Sequence, residues 1–299
     1  MNLLPHSLLF FLTLLSGANY TILKLLVPEA MLPNAVVFCR VSIGLIFFGI
    51  AAFMYRQIKI SITGKDALLM ILSGFFGVFA NQYFFYQGMN ITTPINGSIF
   101  NLTNPITIVL FSAVLLKESL SVHSIIGMAF AITGALILID FSSFGWSEST
   151  FWGDIFILIN AISFGLYVVL VTPLAKKYGV FATAFYTFLA AFFFILPIGI
   201  QDFMQTRFDS FSTIHWWSFT YILIGTTLIV YLLNNYLPTI TSTQVIASYV
   251  YLQPFVASLF AVILGKDELT FRKLGSGILI MIGISWVYYS KRKLTHEKS

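Results

Sequence analysis

Charge is what this chain lacks most. Only 9% of its 299 residues are Asp, Glu, Lys or Arg, where a soluble domain carries roughly 25%. So few charges cannot cover a water-facing surface, so most of the surface must face lipid. Cysteine is nearly absent. The single one, Cys39, excludes an intramolecular disulfide and a cysteine-based metal cluster. There is no phosphate-binding loop, no nucleotide-binding glycine pattern and no zinc-type histidine spacing. No cofactor or metal is therefore expected. The net charge of +5 is no argument for nucleic acid, because the basic tail KRKLTHEK reads as an anchor against anionic lipid.

What is present is apolar: 58% hydrophobic residues, with 32 Phe. A bilayer core needs about 20 apolar residues per helix. Residues 67–116 and 216–265 are two runs of 50 without any charged residue or histidine. As one helix each would span roughly 75 Å, so each must hold two crossings and a turn. Barrel strands of about 9–11 alternating residues do not fit. The expected spans are 5–26, 34–54, 67–88, 94–116, 121–139, 153–174, 180–200, 216–237, 242–265 and 272–290. The first is expected to be retained, because no Lys or Arg precedes its apolar core as in a signal peptide.

Loop charges set orientation. With both termini cytoplasmic, ten Lys and Arg fall in inner loops and tail, against four outside (Arg207, Lys266, Arg272 and Lys273). The expected location is the cell membrane, multi-pass, both termini inside, possibly as a monomer.

NPITIVLFSAVLLKESL, 104–120, is echoed by QPFVASLFAVILGKDEL, 253–269, at an offset of 149. Pro105 meets Pro254, Phe111 meets Phe260, Lys117 meets Lys266 and Gly134 meets Gly283, with no gap. Five helices is an odd number, so a second copy enters the membrane inverted. The expected fold is all-α: ten transmembrane helices as two inverted five-helix repeats, 1–145 and 146–290, around a central cavity, then the tail 291–299. Inverted repeats build many secondary transporters, with the site where the halves meet.

The chain resembles the drug/metabolite transporter superfamily, in its ten-helix EamA-type branch. Ser16, Gly17 and Lys24 in the first span, Arg40 in the second and the paired NP…LLKESLS and QP…LGKDELT ends carry the likeness, which extends over essentially the whole chain. The resemblance implies cytoplasmic termini and export or exchange of small metabolites. It implies that spans three, four, eight and nine wall the cavity, joined by one, two, six and seven, with five and ten outside. One departure is SGANY, where the family often has a tryptophan before the glycine.

Polar groups inside a membrane are costly and tend to be functional. Gln82 and Tyr86 lie one turn apart on the third span, and Tyr231, Asn234 and Asn235 share a face of the eighth. Gln82 corresponds to Tyr231 and Tyr86 to Asn235. Cavity candidates that line a small-molecule site are Asn19, Tyr20, Arg40, Gln82, Tyr86, Asn101, Tyr167, Tyr231, Asn235, Gln244, Ser248 and Tyr249. The same groups could instead hydrogen-bond between helices. Arg40 could face the cavity, reach the outer headgroups or pair with Glu29. In the cavity it would favour a carboxylate or phosphate. Pro105 and Pro254 lack the N–H that would satisfy Asn101 and Val250, so they are candidate hinges. No Asp or Glu falls in the middle of a span, which favours facilitated diffusion or exchange over carboxylate-based proton antiport. The expectation is a transporter and not an enzyme. The alternative, an integral-membrane enzyme acting on a lipid-linked substrate, would need converging acids, bases or metal ligands that the sequence does not supply.

Overall fold

The computed structural model describes residues 3–58, 62–92, 97, 100–118, 121–138, 148–263 and 270–296. The chain is helical, and no strand occurs among the described residues. The helices are α1 Leu4–Leu23, α2 Pro33–Met54, α3 Gly64–Ile91, α4 Thr103–Leu115, α5 Val122–Leu138 and α6 Glu148–Tyr178. They continue as α7 Val180–Met204, α8 Thr213–Ile240, α9 Thr243–Val250, α10 Gln253–Ile263 and α11 Phe271–His296. α1, α2, α3, α7, α8 and the stretch Phe151–Tyr178 of α6 are long and apolar enough to cross a membrane. Thr103–Leu115, Val122–Ile137 and Leu274–Val287 are shorter apolar helices.

Local sequence explains where these helices start. Pro5 and Pro33 sit in the first turns of α1 and α2, where a missing N–H costs nothing. Thr63 caps α3 by accepting from the Asp66 amide, and Ser242 caps α9 by accepting from that of Val245. α2 and α7 carry apolar residues on their outer as well as their inner faces. Their inner faces bury Phe48 and Phe188, while Phe53 and Phe193 stand outward. An apolar exterior of this kind is what lipid requires and water does not tolerate.

Two helix pairs organise the packing: α2 lies along α7, and α5 along α11. The α5–α11 crossing is close because it is built from small residues. A Cβ on Gly127 would come within 2.8 Å of the Gly283 carbonyl oxygen, and one on Gly134 within 2.8 Å of the Ser276 carbonyl oxygen. The second contact is the first with its partners exchanged at the repeat offset, since Gly127 corresponds to Ser276 and Gly134 to Gly283.

Three features depart from the sequence expectation. First, α3 and α8 each contain a π-helical segment, Gly74–Ala80 and Tyr221–Ile229. Second, the expected spans 94–116 and 242–265 are interrupted. Residues 100 and 101 are helical, Leu102 is a turn, and α4 starts at Thr103. In the other half, Tyr251 and Leu252 form the turn between α9 and α10. The breaks therefore precede Pro105 and Pro254, which sit in the first turn of the following helix. Each proline forbids the bond that would carry the preceding helix through. Third, α11 continues to His296, so most of the basic tail extends the last helix. Lys266 and its neighbours, on which part of the repeat rests, lie outside the described residues.

Candidate functional site

A cavity of about 130 Å³ lies between α1, α2, α3, α4, α6, α8, α9 and α10. Neither α5 nor α11 contributes a wall among the described residues, in keeping with their outer position. α7, which the resemblance placed at the wall, does not reach it. Phe188 of α7 packs edge-on against Tyr231 at 5.0 Å and supports that side chain from behind.

Eight of the sequence candidates line this one space: Asn19, Tyr20, Arg40, Gln82, Tyr86, Asn101, Tyr231 and Tyr249. Four lie elsewhere. The Asn235 amide donates to the Tyr167 hydroxyl at 2.7 Å and to the Tyr231 carbonyl at 2.8 Å, so both residues form a layer behind Tyr231. Ser248 donates to the Val245 carbonyl at 2.8 Å along its own helix. Gln244 is fully buried away from the cavity. On α9 it is Ile246, Tyr249 and Val250 that face inward.

The π segments give the site its backbone chemistry. A π turn shifts the hydrogen-bond register by one residue and can free a carbonyl. Arg40 donates through Nη2 to the Thr226 carbonyl at 3.0 Å. The Tyr231 hydroxyl donates to the Gly77 carbonyl at 2.9 Å. Gly77 and Thr226 are themselves one repeat offset apart, each inside its π segment. Gly77 is glycine for lack of room, because a Cβ there would lie 1.9 Å from the Tyr167 ring.

Across the centre, Gln82 donates to the Tyr231 hydroxyl at 3.1 Å, and the two residues are separated by 149 positions. The bond joins α3 to α8 at the cavity wall, between positions that the sequence repeat aligns with each other. Arg40 donates through Nη1 to the Tyr86 hydroxyl at 2.5 Å, with its guanidinium 5.3 Å from that ring's centroid. It pairs with no carboxylate among the described residues. This decides between the possibilities left open by the sequence: Arg40 points inward, not toward Glu29. Lys24 instead donates to the Met89 carbonyl at 2.6 Å, joining α1 to α3.

An amide network continues from here. Asn104 donates to Asn101 at 3.3 Å, and Asn101 donates to the Tyr20 hydroxyl at 2.7 Å. Asn81 and Asn160 exchange bonds reciprocally, each side-chain amide donating to the other's carbonyl, at 3.3 and 2.7 Å. Asn160 was missed in the sequence although it had a signal, being the lone amide in the apolar run of its helix. Asn81 carried the same signal, standing beside Gln82 in an apolar run, while Thr226 had none, because a π register leaves no mark in composition. Several side-chain oxygens here, on Asn19, Gln82 and Asn104, are buried without a donor. Each such group costs about 1–3 kcal/mol if left dry, so the cavity is built to hold water or a polar solute. Asp154 is buried and accepts from Thr92, away from the cavity wall.

The EamA-like transporter family matches the chain twice, over residues 4–140 and 151–289. An uncharacterized transporter of Bacillus subtilis, YyaM, is 21% identical over 281 residues, covering 93% of this chain and 92% of its own. A second from the same organism, YetK, is 28% identical over 178 residues, 58% of this chain and 53% of its own. An uncharacterized transporter of Archaeoglobus fulgidus is 21% identical over 224 residues, 74% of this chain and 76% of its own. A solved crystal structure superposes with a TM-score of 0.77 at 18% identity, over 97% of this chain and 98% of the other, a likeness of fold. None of these supports an enzyme acting on lipid-linked substrates. With two matches that together span nearly its whole length, this membrane protein belongs to the EamA-like transporter family.

Proposed function

We propose that the protein is a secondary transporter, an exporter or exchanger of a small metabolite such as an amino acid or a related organic solute. It works by alternating access, with ten crossings arranged as two inverted five-helix repeats, 1–145 and 146–290, in the cell membrane and with both termini cytoplasmic. One observation carries this reading: a single polar cavity is lined from both family matches. Arg40, Gln82, Tyr86 and Asn101 come from the first, and Asn160, Thr226, Tyr231 and Tyr249 from the second. Support for the duplication comes from the paired π segments, the paired breaks before Pro105 and Pro254, and the exchanged glycine contacts between α5 and α11. Two conformations of similar energy follow when the halves exchange shapes.

No Asp or Glu lines the cavity among the described residues, which favours exchange or facilitated diffusion. The test is counterflow. Proteoliposomes loaded with unlabelled solute should accumulate labelled solute saturably, and vesicles without protein should not. Failure to find counterflow across a metabolite panel defeats the proposal. Orientation is tested separately in a Cys39→Ser background. Lys117→Cys should react only with reagent inside the cell and Arg272→Cys only with reagent outside. Labelling of both from one side removes the inverted arrangement.

A further inference from the structure

We propose that the solute is a small organic acid that also carries hydroxyl or amino donors, with its carboxylate held by Arg40. This rests on the transport reading and narrows it. Arg40 is 5% exposed and borders the cavity. Its bonded partners, a phenol and a peptide carbonyl, are both neutral, and its Nε–H has no acceptor. A buried cation without a counter-charge is costly, and a ligand anion relieves that cost. The guanidinium is a planar fork that matches a carboxylate. Tyr86 accepts from Arg40, which leaves its own proton for the same anion.

The rest of the wall asks for donors. Tyr231 gives its only proton to Gly77, so its oxygen must accept from the Gln82 amide nitrogen. That fixes the Gln82 oxygen at the other end, where it has no partner. Asn104 likewise gives its nitrogen to Asn101 and keeps a bare oxygen, and the oxygen of Asn19 is bare as well. These three residues are each more than nine-tenths buried and border the cavity. An inorganic anion or a plain fatty acid would leave the oxygens unanswered, and a neutral polyol would leave Arg40 unanswered. A hydroxy or amino acid answers both. Size agrees: at about 10–15 Å³ for each water, a volume of 130 Å³ holds a solute of roughly ten non-hydrogen atoms.

The experiment measures thermal stabilisation of the purified full-length protein by L-lactate, L-malate, L-serine and L-phenylalanine. Each is set against its amide, with propionate as an acid lacking donors. At least one acid should raise the melting temperature where its amide does not, and propionate should do less. Arg40→Gln should weaken the preferred acid by about tenfold or more, with Arg40→Lys between. The inference is overturned if wild type distinguishes no acid from its amide, or if Arg40→Gln binds the preferred acid as well as wild type. The first criterion needs no variant to fold. Counterflow of the same labelled acid separates the two claims. Binding without counterflow removes the transport reading alone, and equal counterflow of acid and amide removes this inference alone.

Discussion

α3 and α8 share a scaffold and differ in chemistry. Each carries a π segment at the same offset, each offers one carbonyl from it, and each then presents polar side chains to the same cavity. Yet α3 sets both Gln82 and Tyr86 in the wall, where α8 sets Tyr231 there and keeps Asn235 behind it, and the guanidinium beside them comes from the first half alone. Phe188 of α7 occupies the corresponding neighbourhood on the other side, against Tyr231. On the transport reading proposed above, the shared backbone would let the halves exchange shapes, while the differing side chains would bind one solute in one orientation. In that reading symmetry serves the motion, and its loss serves recognition.

The sharpest way to break that comparison is at the shared scaffold. Gly134→Leu or Gly283→Leu, one repeat offset apart, places a side chain against a carbonyl oxygen of the opposing helix. Overpacking of this kind typically costs about 1–3 kcal/mol and occasionally more. Each variant should lose most of its monodisperse yield in detergent, and the two should lose it equally. Unequal losses would mean that the halves are not equivalent there.

A smaller effect is expected at the centre. Tyr231→Phe leaves the Gly77 carbonyl and the Gln82 amide nitrogen without their partner, a cost of about 1–3 kcal/mol for each stranded group. Gln82→Leu strands no backbone group. Chemical denaturation should therefore rank Tyr231→Phe as the less stable, and transport should fall in both. The reverse ranking would show that the two positions are not related as proposed.

The smallest effects on stability belong to the prolines. Because Pro105 and Pro254 lie in first turns, Pro105→Ala and Pro254→Ala should change folded yield little. They remove the block that ends the preceding helix, so transport in reconstituted vesicles should slow. Unchanged rates in both would discard the hinges. A change in one alone would show that the two gates differ.

Much of this was legible in the sequence because membrane helices announce themselves by composition, and because Pro105 and Pro254 carry neighbours in register with them. The amides of α3 and α8 were legible too, since few other reasons place Gln82 or Asn234 in an apolar run. Their directions were harder. Tyr167 and Asn235 satisfy each other, and a side chain with a private partner has no need of the cavity. Ser248 bonds back to its own helix, as short hydroxyl side chains do. The π segments were invisible, because a one-residue shift in hydrogen bonding requires no particular residue. The breaks at Leu102 and Tyr251–Leu252 were placed at the prolines when they belong a few residues before them.

Where Gly127 meets Gly283, peptide touches peptide. No rotamer there can change, and no methyl group can be squeezed out, so the seam admits one spacing. Most other contacts in the molecule run through Phe, Leu and Met, which can re-pack. The seam is thus an internal ruler. Spin labels placed just beyond it on the two helices should report one narrow distance in every functional state, the fixed length against which any rocking of the halves can be measured.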